Sequence, residues 1–277
     1  MRAWREVMVV DRRDYQSFNR IRAYRSDVLA GGAELLWPTR CVVCNMPGEL
    51  LCAECRAGLP WIDQRNACPQ GGAPHGWLAC TDCGVDYIRA TLRAETDPRS
   101  TIWETRAVVC ALEFAGAGAL MATVLKDQHE LRLAPVMAAA MATALDEAGS
   151  WPASDGRPRF DAARTDALCF IPATRQAYAR RGFDHMERVA RSLATELGIP
   201  CADVLMRATG ADQRALGKEG RANNLRGTVS VAGEVAGAHL LLVDDVITTG
   251  ASVREAARAL LARGAASVTA SALARVW

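Results

Sequence analysis

The segment Leu240 to Ser252 constrains the fold more than any other part of this chain. Its first four residues are all apolar, then come two adjacent acids, Asp244 and Asp245, and then Val246-Ile247-Thr248-Thr249-Gly250-Ala251-Ser252. A short continuous apolar run is what a parallel strand buried on both faces requires, and open α/β sheets bind ligands beyond the carboxyl ends of such strands. The expected strand therefore ends at the acid pair. Ser252-Val253-Arg254-Glu255 fits a capping box, so a helix is predicted to begin at about Ser252. The turn between them offers two hydroxyls, a glycine able to take positive φ, and unpaired backbone N–H groups, an anion cradle at a helix N-terminus. Two neighbouring carboxylates repel, and the helix dipole recovers only about 0.3–1 kcal/mol. Acids beside a phosphate-sized nest suit a ligand that carries a phosphate together with hydroxyls or a metal ion, and a sugar phosphate with Mg²⁺ answers that description.

Seven of the ten cysteines fall within the 43 residues from Cys41 to Cys83. Three Cys-x-x-Cys pairs stand there: Cys41 with Cys44, Cys52 with Cys55, and Cys80 with Cys83; Cys68 is alone. Such a turn points two thiolates at one ion, and two turns complete the tetrahedral shell of a structural Zn²⁺. A redox dithiol would be a single pair beside a strand and helix, a pattern this segment lacks. Its Gly and Pro content predicts knuckles and loops that metal must hold together. Two groupings remain open. Sequential grouping gives Cys41, Cys44, Cys52 and Cys55 one ion and leaves Cys68, Cys80 and Cys83 a ligand short; nested grouping joins Cys41, Cys44, Cys80 and Cys83 and leaves Cys52, Cys55 and Cys68. Gly71 occupies the place where Cys68 would have its partner, and His75 is the nearest candidate to replace it. Cys110, Cys169 and Cys201 lie on apolar stretches and read as small core residues.

The remaining pattern is that of an α/β domain. Strands are predicted at Arg106 to Phe114, Ala167 to Ile171 and Ser267 to Ala274; helical spacing runs from Ala117 to Ala148, interrupted around Pro135, and from Tyr178 to Leu197 with Arg180, Arg181, Arg188 and Arg191 outside. Arginines after a strand's carboxyl end suit a diphosphate, since guanidinium groups grip its oxygens bidentately. Arg181, next to Gly182 where backbone can approach a ligand, is the candidate, whereas Arg188 and Arg191 read as a solvated face. Trp151 to Thr165 is expected to be a surface loop and Gly264 the residue just past the last helix. The chain has 277 residues, enough for one such domain plus a small module. The expected division is an N-terminal extension at 1–34, partly helical or disordered, a cysteine-rich zinc-binding module at 35–90 and the α/β domain at 104–277. A net charge of +2 gives no global field directed at nucleic acid or an anionic membrane. Locally, Pro172 to Arg226 carries ten Lys or Arg against six Asp or Glu. The N-terminus lacks the unbroken apolar stretch of a signal peptide, and no run reaches the roughly 18 apolar residues of a membrane span, so a cytoplasmic protein without membrane insertion is expected.

Leu240 to Ser252 resembles, position by position, the signature of type I phosphoribosyltransferases. That resemblance implies a parallel sheet flanked by helices, with phosphoribosyl pyrophosphate as ligand. It assigns Asp244 and Asp245 to the ribose diol, and Thr248, Thr249, Gly250, Ala251 and Ser252 to the 5-phosphate. Together with the cysteine knuckles, the chain from about Leu35 to Trp277 resembles the ComF-type competence family. Further marks are Ile171-Pro172, Arg180-Arg181-Gly182-Phe183, Gln213, Leu216, Arg221, Asn224 and Gly227. Family members usually carry Asn and then Gln after Arg-Gly-Phe; Asp184 and His185 stand here instead, which puts the usual ligand contacts there in question. The resemblance also implies a hood over the sugar from Gly210 to Gly227, with Gln213 and Arg221 pointing inward. Lys126 sits where the family commonly has a lysine, although an exposed lysine is the commoner explanation, and it is not assigned to the site. The implied activity is Mg²⁺-dependent phosphoribosyl transfer to an unknown acceptor, with a link to DNA uptake. The alternative is a non-catalytic adaptor that senses phosphoribosyl pyrophosphate and binds single-stranded DNA through its zinc module, with Trp61 and Trp77 as stacking residues.

Overall fold

The computed structural model describes residues 38–77, 79–80, 83, 85–86, 103–207 and 228–277. Residues 1–34 and the expected hood, with Gln213, Leu216, Arg221, Asn224 and Gly227, lie outside the described residues. The chain divides into two compact units between Arg56 and Ala57, inside the span 35–90. In the first unit, Cys41 to Cys44 forms a tight turn closed by the amide of Asn45 donating to the Cys41 carbonyl at 2.8 Å, and the amide of Cys41 donates to Met46 at 2.7 Å. Helix α1 (Ala53–Ala57) follows Cys52.

The second unit contains the short antiparallel pair β1 (Ala79–Cys80) and β2 (Val85–Asp86) and then the main sheet. Strand β3 (Ala107–Glu113) leads into helices α2 (Gly116–Asp127) and α3 (Leu133–Gly149); β4 (Ala167–Phe170) leads into α4 (Arg175–Arg181) and α5 (His185–Leu197). A small antiparallel pair, β5 (Leu205–Arg207) and β6 (Val229–Val231), precedes β7 (His239–Ile247), α6 (Ala251–Ala262) and β8 (Ser267–Arg275). The sheet order is β3-β8-β7-β4, all parallel, so the last strand of the chain lies inside the sheet. Successive side chains on a strand point to opposite faces. One face carries Val108, Cys110, Leu240, Leu242, Val268, Ala270 and Ala272, which pack in one core with Val253, Ala256 and Leu260 of α6 and with Cys68, Cys80 and Cys83. The other face is covered by α3 and α5, which pack on each other and on β3 and β4. The second cysteine group is therefore part of the body's own hydrophobic core.

Four local expectations change in the structure. Strand β7 does not end at the acids but runs on to Ile247, because β8 continues to pair with it as far as Arg275; β4 stops opposite Val243, so the acids emerge along an edge that one neighbour has left. The interruption between α2 and α3 precedes Pro135, which sits in the first turn of α3. A proline costs little there because its missing N–H has no intrahelical acceptor anyway. Tyr178 to Leu197 is two helices, broken at Gly182, whose φ of 78° closes α4 in the left-handed region. The loop from Trp151 to Thr165 is anchored by Arg159, which is fully buried and donates to the carbonyls of Gln64 at 2.6 Å and Pro152 at 3.1 Å. Gly264 follows the last helical residues with φ 90°, as its position predicts. Among the described residues no helix is long and apolar enough to cross a membrane.

Candidate functional site

The carboxyl ends of β4 and β7 open into a cleft of about 510 Å³ lined by, among others, Lys126, Arg181, His185, Asp244, Asp245, Thr248 and Ser252. That volume is in the range of small-ligand sites. The structure thus gathers five of the expected ligand residues, Asp244, Asp245, Arg181, Thr248 and Ser252, around one space. Thr249, Gly250 and Ala251 belong to the same turn without lining the cleft, Gly182 lies at the α4 terminus behind Arg181, and Arg221 is outside the described residues.

The adjacent acids have different surroundings. Asp245 is buried, and its Oδ2 meets both Lys126 Nζ and His185 Nε2 at 3.0 Å. Burial works against ionising it, but His185 and Lys126 outweigh burial and hold its carboxyl well below the usual carboxylate range. Asp244 makes no ion pair among the described residues, although its Oδ1 accepts from the Asp245 amide at 2.9 Å: burial first, then the charge of Asp245, pushes its carboxyl well above that range. One carboxylate is settled by Lys126 and His185, and the other is left without a counter-charge among the described residues. A Mg²⁺ ion or a ribose hydroxyl would meet that need, so the donor set fits a metal-chelated diol.

His185 and Lys126 are the site residues that sequence reasoning did not assign. Lys126 comes from α2 and His185 from α5, elements distant in sequence that meet only when the sheet is assembled. The departure at Asp184 and His185 is accommodated in two ways. Asp184 caps α5, accepting from the Met186 amide at 2.9 Å, and ties down the loop after β4 by accepting from the Ala173 amide at 2.6 Å. His185 turns its ring into the cleft; with the Asp245 carboxylate as acceptor, Nε2 carries the proton, and Nδ1 faces Arg181 Nη1 at 3.5 Å. The side chain of Arg181 is 6 % exposed, not outside as the helical spacing predicts, and its Nη2 reaches Asp127 at 3.4 Å. Its Nε is buried with no partner among the described residues. A buried unpaired donor costs about 1–3 kcal/mol unless something fills it, which points to an anionic ligand.

The turn from Thr248 to Ser252 differs from expectation at the helix start. Gly250 takes φ 72° and occupies the N-cap, so α6 begins at Ala251 and Ser252 is inside the first turn. The capping box does not form: Glu255 pairs with Arg258 at 2.7 Å. The earlier start leaves the Ser252 hydroxyl for the cleft. First-turn amides of a helix have no intrahelical acceptor and face the space beyond its N-terminus.

The cysteines settle into the sequential grouping. The sulfurs of Cys41, Cys44, Cys52 and Cys55 lie within 4.8 Å of one another, as do those of Cys68, Cys80 and Cys83. Cys44 and Cys52 sulfurs are 3.7 Å apart, and Cys68 and Cys83 sulfurs 3.8 Å. Four sulfurs about 2.3 Å from one zinc stand about 3.8 Å apart, so both groups fit that ion. In the second group Cys80 and Cys83 hydrogen-bond to Cys68 and draw its thiol down to about 3, while Cys68 pushes both of them up. Among the described residues this group has three ligands. His75 is not one of them; its ring packs edge-on against Trp277.

Comparison with known proteins supports both halves. The model of the double zinc ribbon domain matches residues 32–87, and that of the phosphoribosyl transferase domain matches residues 179–276. The DNA utilization protein YhgH of Salmonella typhi is 30 % identical over 243 residues, 83 % of this chain and 94 % of the relative. This chain belongs to the ComF-type family. The YhgH protein of Escherichia coli strain K12 is 27 % identical over the same shares. Among solved structures, the fold is similar to hypoxanthine phosphoribosyltransferase from Trypanosoma cruzi, at 16 % identity over 53 % of this chain and 68 % of that one, with a TM-score of 0.31. Glutamine phosphoribosylpyrophosphate amidotransferase from B. subtilis matches at 22 % identity over 39 % of this chain and 22 % of its own, with a TM-score of 0.29.

Proposed function

We propose that the cleft binds Mg²⁺-phosphoribosyl pyrophosphate and that the protein is a phosphoribosyltransferase acting in the handling of DNA. The observation that carries this reading is the convergence on one cleft of Asp244, an acid with no ion pair among the described residues, a buried Arg181 Nε with no hydrogen-bond partner among them, and the open turn at Thr248. In this reading Asp244 and Asp245 hold the ribose diol, Thr248 to Ser252 wrap the 5-phosphate, and Arg181, with backbone approach at Gly182, holds the pyrophosphate. Arg221 joins from the segment outside the described residues. Lys126 and His185 keep Asp245 ionised and oriented. Mg²⁺ bound with the substrate would neutralise pyrophosphate charge; the chain's own share is positioning and electrostatics, with no nucleophilic side chain required. The span 35–90 acts as a structural zinc module, 104–277 as the transferase domain, and the compartment is the cytoplasm.

Calorimetry with Mg²⁺ and phosphoribosyl pyrophosphate tests this directly. Binding that weakens by about tenfold or more in Asp245→Asn is expected, since a charged hydrogen-bond partner is worth about 1.5–3 kcal/mol. No binding by the wild type, or unchanged binding by the variant, overturns the reading. Pyrophosphate release screened across nitrogenous bases and amines then identifies the acceptor.

A second reading, an adaptor that senses the same ligand and binds single-stranded DNA, draws on the relatives' name and on two exposed tryptophans. Trp61 and Trp77 are 40 % and 38 % exposed, and base stacking on such rings is worth about 1–3 kcal/mol. Salt-sensitive binding of single strands that disappears on zinc removal, without pyrophosphate release, favours it.

A further inference from the structure

Arg275, the last residue of β8, is 1 % exposed and holds together two parts of the body that the sequence keeps far apart. Its Nε donates to the Gly71 carbonyl at 2.8 Å. Its Nη1 donates to Ile247 at 3.2 Å and to the carbonyls of Thr248 and Val276. Gly71 belongs to the second cysteine knuckle: its amide donates to Cys68 Sγ at 3.3 Å, and a Cβ added to it would lie 2.5 Å from Cys83 Sγ. Ile247 and Thr248 enter the phosphate turn. One guanidinium therefore spans from the thiol cluster to that turn.

Trp103 makes a second strut beside the first. Its ring is buried and lies directly on Gly250, where a Cβ would meet Cη2 at 2.0 Å, and its Cζ2 would be 3.8 Å from a Cβ at Gly71. The guanidiniums of Arg275 and of Arg254 on α6 stand 5.9 Å and 5.6 Å from the ring centre. Both contacts end on backbone, at Gly71 on one side and at Thr248 and Gly250 on the other, so neither strut can yield by rotating a side chain at its far end.

We propose that Arg275 is a positioning residue of the phosphate turn, and that metal at Cys68, Cys80 and Cys83 sets the affinity of Thr248 to Ser252 for a sugar 5-phosphate through Arg275 and Trp103. The proposal rests on the reading of the cleft as a phosphoribosyl pyrophosphate site. Loss of the metal frees Gly71, Arg275 loses its anchor, and the turn becomes mobile while the sheet behind it persists. Zinc supply and thiol oxidation would then act on ligand binding from the opposite side of the turn.

The test compares the zinc-loaded full chain with Cys80→Ser, Arg275→Lys and Arg275→Gln, measuring zinc per chain, amide hydrogen exchange and binding of Mg²⁺-phosphoribosyl pyrophosphate. Cys80→Ser is expected to lose one zinc, and Arg275→Gln to keep its zinc; both should speed exchange at residues 248–252 and weaken ligand binding by about tenfold. Arg275→Lys, which keeps the charge and one donor, should recover part of both. Unchanged exchange at 248–252 in a variant that has lost its zinc, or exchange that rises equally throughout β4 and β7, overturns the coupling. If the wild type fails to bind the ligand, the reading of the cleft falls, and the exchange arm still decides the coupling. If Cys80→Ser does not fold, the two Arg275 variants carry the decision, with exchange at 248–252 equal to wild type counting against it.

Discussion

Cys68, Cys80 and Cys83 inside the core and Asp244 and Asp245 at the sheet edge are both crowded acidic groups, but the thiols face one another whereas the carboxylates turn towards Lys126, His185 and a cleft. Crowded thiols are relieved by sharing protons or a metal, and the outcome is closed to solvent. The carboxylates are relieved only in part, since Asp245 takes both internal partners and Asp244 takes neither. A group whose needs are met inside the protein stabilises it; one whose needs are left open is available to a ligand. On the proposed reading, the thiol cluster is structural and the acid pair is left open to a ligand.

Metal removal tests the structural half and has the largest expected effect. Structural zinc contributes on the order of 10 kcal/mol of folding free energy in small zinc modules. In the second unit the thiols join an existing core, so the loss should be smaller, lowering the melting temperature by more than about 10 °C while the sheet still folds. The first group, with Cys44 exposed and Cys52 and Cys55 half-buried, should release its ion to a chelator sooner than the buried second group. A single release phase with an unchanged melting temperature breaks the comparison.

Asp245→Asn tests whether that carboxylate is as settled as its contacts indicate. An amide can still accept from His185 Nε2, and Lys126, 39 % exposed, can turn to water, so the cost should be about 1–3 kcal/mol, not that of stranding a buried charge. The sign with pH follows from the depressed carboxyl. Its contribution is present above the unfolded value of about 3.9 and is lost as pH falls below it towards the folded value, so wild type and variant should converge in acid. Urea denaturation at neutral pH and at about pH 3 measures both. A difference that does not narrow at all between neutral pH and about pH 3 would show that the ion pair is not its source.

Much of this comparison was legible in the sequence where it depended on neighbours along the chain. The strand, acid pair and glycine turn of 240–252 are local chemistry, and so are the cysteine knuckles. What the sequence left open depended on which strands pair and which loops meet. The extension of β7 to Ile247 needs β8 as partner, and the two cysteine groupings have equivalent spacings until the loops close. Lys126 and His185 reach Asp245 from two different helices. Arg181 reads as an outward helical residue until the break at Gly182 redirects it. Arg275 left a signal that could have been used: it is the lone charge of the closing strand, where it has to find buried acceptors.

Asp244→Asn should move stability and function in opposite directions, with the smallest energetic effect of the three. The raised carboxyl means that the folded state binds this proton more tightly than the unfolded chain does. Its stability contribution is full below about pH 3.9 and is lost as pH rises from there towards the folded value, at a limiting slope of about 1.4 kcal/mol per pH unit. Asparagine does not ionise, so the variant should become more stable than wild type as pH rises towards neutral, by about 0.5–2 kcal/mol. The neighbouring Asp245→Asn should do the reverse. The same substitution removes the carboxylate assigned to the ribose diol, so binding of Mg²⁺-phosphoribosyl pyrophosphate should weaken in the more stable protein. Thermal melts from pH 4 to 8, paired with calorimetry, read both quantities on one sample. A variant less stable than wild type at neutral pH would mean that the protein itself stabilises the Asp244 carboxylate, and the contrast between settled and open acids would then lie elsewhere than between Asp244 and Asp245.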